Sequence, residues 1–94
     1  MTESEQLQPI LMAEGFWDRE NCNRFSINAP GGMAVEVIGA LGELRWKVTA
    51  PDRRETISPQ QFSHWQDAKV DLRRFLTERL KTLADAATPP ARQM

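Results

Sequence analysis

Cysteine occurs once in this chain, as Cys22, and histidine once, as His64. A single thiol excludes an internal disulfide. One histidine and one cysteine are too few ligands for a zinc site, so neither a metal nor a cofactor is expected. The chain suits a reducing compartment, and a cytoplasmic location is the expectation. No apolar run approaches the ~20 residues that a membrane-crossing helix needs, so no membrane partner is expected. The first residues include Glu3 and Glu5 instead of lysines, unlike a secretory leader. An excess of one charge is also missing, since 12 Lys and Arg oppose 13 Asp and Glu for a net charge of −1. That balance weighs against generic nucleic-acid binding, although a local basic patch can act on a neutral background.

Catalytic patterns are equally scarce. There is no GxSxG elbow. Gly31-Gly32 follows a strand pattern but lacks the spacing and the lysine of a phosphate loop, and another strand pattern follows it, so it reads as a hairpin turn. Cys22 lies among polar residues with His64 remote in sequence, and Glu36 and Glu43 show no pairing as acid and base. No constellation is complete, so no catalytic residue is assigned and the chain is not expected to be an enzyme.

The longest organised stretch runs from Ser58 to Ala84. Ser58 suits a helix cap, Pro59 the first helical position, and Gln61 can close a capping box. Phe62, Trp65, Ala68, Leu72, Phe75, Leu76, Leu80 and Leu83 then recur at spacings of three and four and predict one apolar stripe. Asp67, Asp71, Arg73, Arg74, Thr77, Glu78 and Lys81 fall on the opposite, wet face, with Val70 the one apolar residue among them. A break near residues 64–67, leaving a shorter helix, is the alternative.

Upstream the period changes to two. Phe25 and Ile27, then Met33, Val35 and Val37, then Leu44, Trp46 and Val48 alternate with polar neighbours, which predicts three strands joined by turns at Pro30-Gly31-Gly32 and between Gly39 and Gly42. Arg54 to Ile57 can add a fourth strand. Short connections imply an antiparallel meander whose apolar face the helix covers. Trp46 and Trp65 are expected to meet in that core. Leu7, Ile10 and Leu11 suggest a short N-terminal helix or arm before Gly15, started late because of Pro9, with Phe16 and Trp17 as anchors. The expectation is therefore a single α+β domain over residues 7–86: a three- to four-stranded antiparallel meander covered on one face by a long C-terminal helix. Residues 1–6 and 87–94 are expected to be disordered ends, and 18–23 a polar loop.

Strand parity then nominates a binding surface. If Trp46 faces the helix, Arg45 and Lys47 face outward, Arg24 shares that face, and Arg53 and Arg54 sit at the following turn. With Val70, Arg73 and Arg74 on the exposed helix face, these are the candidate partner-binding residues. A protein partner is expected first, with a nucleic-acid partner on the basic sheet face as the alternative. The apolar N-terminal arm is expected to dock on its own domain, with a homodimer contact as the other use of it.

A meander followed by a covering helix, and the strand RWKVT with outward cations, resemble the arm-binding domain of phage-type integrases, which would imply DNA contact through the sheet. The small size and missing catalytic patterns are also similar to accessory or inhibitor proteins of phages and mobile elements, anti-CRISPR proteins among them. The expected function is that of a small non-catalytic protein-binding module, as accessory, adaptor or inhibitor, acting through the outer sheet face and the exposed helix face.

Overall fold

Alternation with a period of two produces a four-stranded sheet in the order of the chain. The computed structural model describes residues 2–18, 24–40 and 42–87. The strands are β1 (Ser26–Asn28), β2 (Ala34–Ile38), β3 (Arg45–Thr49) and β4 (Glu55–Ile57), and every neighbouring pair is antiparallel. In the central pair Val35 lies opposite Val48 and Val37 opposite Trp46. All four are buried, as are Met33 and Leu44 just outside the strands. Glu36, Arg45 and Lys47 occupy the other face, so the parity read from the sequence holds in the two central strands. The fourth strand is present.

It holds at the β1 edge as well, where Ile27 lies opposite Val35 and packs on the core, but burial there is incomplete. Phe25 is 43% exposed and stacks on Trp65 with 4.2 Å between ring centroids. Trp46 therefore does not meet Trp65. It stacks instead on Phe75 at 4.6 Å, because the covering helix α3 (Trp65–Ala87) lays its middle over the sheet centre and its first turn over the β1 side. Ala68, Leu72 and Leu76 are fully buried, with Phe75, Leu80 and Leu83 partly buried around them.

The helix begins at Trp65, six residues after the Pro59 start that a Ser58 cap predicts. Phe62 and Leu44 exchange backbone hydrogen bonds of 2.7 and 3.0 Å as an isolated bridge that prolongs the sheet. Ser58 is buried and caps nothing. Its hydroxyl accepts from the Trp46 N–H at 3.3 Å and donates to the Gln60 carbonyl at 2.8 Å. Sheet hydrogen bonding outcompeted the local cap because it also holds Phe62 against the core. Ser58→Ala should then cost about 1–3 kcal/mol in urea unfolding, through the lost buried partner. Gln61→Ala, at an exposed site, should stay within about 0.5 kcal/mol. Equal losses at both positions would instead support a capping box.

The N-terminal residues are not frayed as far as residue 6. Helix α1 runs from Glu3 to Leu11 behind a capping box, in which Thr2 Oγ1 accepts from Glu5 N–H and Glu5 Oε1 accepts from Thr2 N–H, both at 3.2 Å. Pro9 lies inside it and forgoes one intrahelical bond. A short α2 (Glu14–Trp17) follows. Leu7, Ile10 and Phe16 are buried in the main core, so the arm docks on its own domain. Polar ties reinforce it. Gln6 Oε1 accepts from the Met33 N–H at 2.8 Å, and Trp17 Nε1 donates to the Ile10 carbonyl at 2.9 Å. Arg79 grips Glu3 with two bonds of 2.7 and 3.0 Å. Lys69 is buried, its Nζ donating to the Phe16 carbonyl at 2.8 Å and lying 4.4 Å from the Phe16 ring centroid. Both long helices thus lie on one face of the sheet, and the other face is left to solvent.

Asp71 does not sit on the wet face as its spacing suggests. It accepts from Trp46 Nε1 at 2.8 Å and from Arg74 Nη2 at 2.8 Å. Partial burial raises its pKa, but the bonds from the Trp46 indole and the Arg74 guanidinium outweigh that, and the net displacement is downward from 3.8. A lowered carboxylate pKa stabilises the folded state above the unfolded value, and the gain disappears as pH falls through the folded value. Stability attributable to Asp71 should therefore be intact above about pH 4 and vanish below it. Asp71→Asn should flatten that acid limb in urea titrations between neutral pH and about pH 3; an unchanged limb would remove Asp71 from the account.

Candidate partner-binding surfaces

The outer sheet face does not form a free cationic row. Lys47 Nζ lies 2.8 Å from Glu55 Oε2 and 3.5 Å from Glu36 Oε1, on the two flanking strands. The Glu55 hydrogen bond, and then its charge, raise the Lys47 pKa. Arg45 Nη1 donates to the Ser58 carbonyl at 2.7 Å and so is drawn to the end of β4. Across this face the cations Arg45 and Lys47 are matched by Glu36 and Glu55.

The other nominated cations lie elsewhere. Arg24 is exposed, but its Nη1 lies 3.6 Å from where a Cβ on Gly15 of α2 would stand, so it reaches the helical layer and does not join the outer row. Arg53 and Arg54 are in the β3–β4 turn, where Arg54 Nε binds Asp52 Oδ2 at 2.6 Å. This bond, with the Arg54 amide, lowers the Asp52 pKa. Strand parity puts Arg45, Lys47 and the diluting Glu36 on one face, but it is blind to the register of β4 that brings Glu55 to Lys47.

On the helix, Val70 and Arg73 share a cleft while Arg74 points to another side. Arg74 is chelated by Asp71 at 2.8 Å and Glu78 at 3.3 Å, which together raise its pKa, Asp71 most. Val70 is 71% exposed in the second turn of its helix. The Arg73 guanidinium lies 5.7 Å from the Trp17 ring centroid. Between α2 and α3 they border a cleft of about 250 Å³, whose remaining walls are Asp18, Gln66, Asp67 and Lys69. Trp17, Asp18 and Gln66 were not legible as part of a site, since only the docking of α2 brings them to α3. The Phe16-Trp17 pair was the available signal. Its rings stand edge to face at 4.7 Å, with Phe16 buried as the anchor and Trp17 left half-exposed.

His64 is exposed just before α3, where its carbonyl accepts the Ala68 N–H at 3.2 Å. Cys22 lies outside the described residues, as do residues 88–94 of the expected tail and most of the expected 18–23 loop; Ala87 closes α3. Among the described residues no group of three or more His, Cys, Asp or Glu is placed to hold a metal ion. None of the described helices is long and apolar enough to cross a membrane. No family model matches the chain, and neither a curated protein nor a solved structure matches it.

Proposed function

We propose that this chain is a small non-catalytic protein-binding module, an accessory, adaptor or inhibitor, whose partner docks on the exposed face of α3 at the cleft beside α2. The observation that carries this reading is the grouping of Val70, 71% exposed, with Arg73 stacked on Trp17. Tryptophan and arginine are the side chains that most often dominate binding energy at protein interfaces, and an apolar neighbour in a cleft supplies the dehydrated centre. A phosphate-tracking sheet is less favoured, because Lys47 and Arg54 already hold carboxylates and the outer face carries no surplus of positive charge.

The test is affinity purification from the native host with the full chain and with a Val70→Glu/Arg73→Glu double variant, read by quantitative mass spectrometry. A partner recovered by the parent and depleted at least roughly tenfold by the double variant is the expected result. Lys47→Ala, at the other face, should leave recovery unchanged. Equal recovery with the double variant would sink the reading. Salt-sensitive binding of DNA or RNA that Lys47→Ala abolishes would transfer the function to the sheet.

A further inference from the structure

A second surface lies at the far edge of the sheet, and its chemistry differs from that of the α2–α3 cleft. Ala50 N–H donates to the Arg54 carbonyl at 2.8 Å and Ser58 N–H to the Trp46 carbonyl at 2.9 Å. Residues 54, 56 and 58 therefore turn their backbone polar groups toward β3. Antiparallel alternation then aims the N–H and C=O groups of Glu55 and Ile57 off the open edge of the sheet. Such an edge is a template for another extended chain. Directly beneath it, between β3–β4 and α3, runs a groove of about 390 Å³. Val48, Ala50 and Phe75 give it apolar walls; on its polar margin Arg79 holds Glu3 and Arg74 holds Glu78, which leaves Arg54 beside Thr56 as the cation least engaged there.

The geometry points to strand addition: an extended segment of a partner protein pairs antiparallel with β4 and places a large apolar side chain in this groove. In that register the partner residue opposite Thr56 points to the groove side of the sheet. The partner residue two positions later lies opposite Arg54 on the same side. Asp52 occupies only Nε of Arg54, whose side chain is 83% exposed, so a carboxylate at that later position has a guanidinium to meet. The recognised chemistry is thus a large apolar residue, any residue, then aspartate or glutamate, all in extended form. A second copy of this chain fits less well. Two-fold pairing of β4 with itself centres on Thr56 and brings only another threonine to the groove mouth, leaving the cavity unfilled. A three-residue edge also buries far less than the roughly 1,200–2,000 Å² of a stable interface.

The experiment is selection of a random peptide library displayed on phage against the full chain, followed by binding of the enriched peptides to variants. Enrichment of the apolar–x–acidic spacing is expected. Ile57→Pro deletes one outward donor without touching the β3 ladder and should weaken binding at least roughly tenfold. Arg54→Glu changes an exposed side chain, keeps the fold, and should switch the preferred acidic residue to a basic one. Val70→Glu should have no effect, which separates this edge from the cleft on α3. Failure to enrich that spacing, or binding that ignores both Arg54→Glu and Ile57→Pro, overturns the proposal. Self-association of the chain that Ile57→Pro abolishes also overturns it, by giving the edge to a second copy.

Discussion

Trp46→Ala should remove most of the protein's stability at room temperature. The side chain is fully enclosed, stacks on Phe75, and lies in the cluster that joins the sheet to Leu72 and Leu76 of α3 and to Leu7 and Ile10 of α1. Removing a buried Trp or Phe to Ala costs about 3–5 kcal/mol, from lost burial plus the cavity left behind. Single domains have about 5–15 kcal/mol in total, and one of 94 residues sits in the lower part of that range. Trp46→Phe separates packing from polarity. It keeps most of the apolar surface and loses the bond to Asp71, so about 1 kcal/mol is expected. Urea unfolding monitored by far-ultraviolet circular dichroism gives both numbers. A loss for Trp46→Ala below about 2 kcal/mol would mean that α3 does not depend on this contact.

Gly39→Ala should be the second most damaging single change. Gly39 has φ of 98°, outside the region open to L side chains, and a Cβ there would lie 2.5 Å from the Glu43 carbonyl oxygen. The obstacle is backbone of the same β2–β3 connection, which cannot rotate away as a side chain can. Strain of this kind costs on the order of 1–3 kcal/mol, and the contact adds to it, so about 2–4 kcal/mol is expected. Gly42 is the control, with φ of 89° but open space where its Cβ would stand. Gly42→Ala should therefore show only the conformational part, about 1–2 kcal/mol. Thermal unfolding of the two variants side by side tests the difference. Equal losses would show that the Glu43 contact relaxes without cost.

Local patterns carried much of the fold. The strands around Val35 and Trp46, the turns between them and the stripe of Ala68, Leu72 and Leu76 follow from periods of two and 3.6. The capping box of Thr2 and Glu5 was also present to be read, and Pro9 obscured it. At Ser58 a local pattern misled, since the same residues suit a helix cap and a strand end, and only the presence of β3 alongside decides between them.

What the amino-acid order determined by itself was the α+β class, the antiparallel meander, the inward set of the central strands and the outward placement of Arg45, Lys47 and Val70. These depend on side-chain spacing within one element, which backbone geometry converts directly into a face. Tertiary structure alone decided which outward groups remain available. Glu3 meets Arg79 across 76 positions and Trp46 meets Asp71 across 25, while Lys47 is claimed by strands on both sides. Ion pairs and aromatic stacks join elements whose separation in sequence carries no period, so the packing of layers selected the partners and left Arg73, Val70 and the β4 edge facing outward.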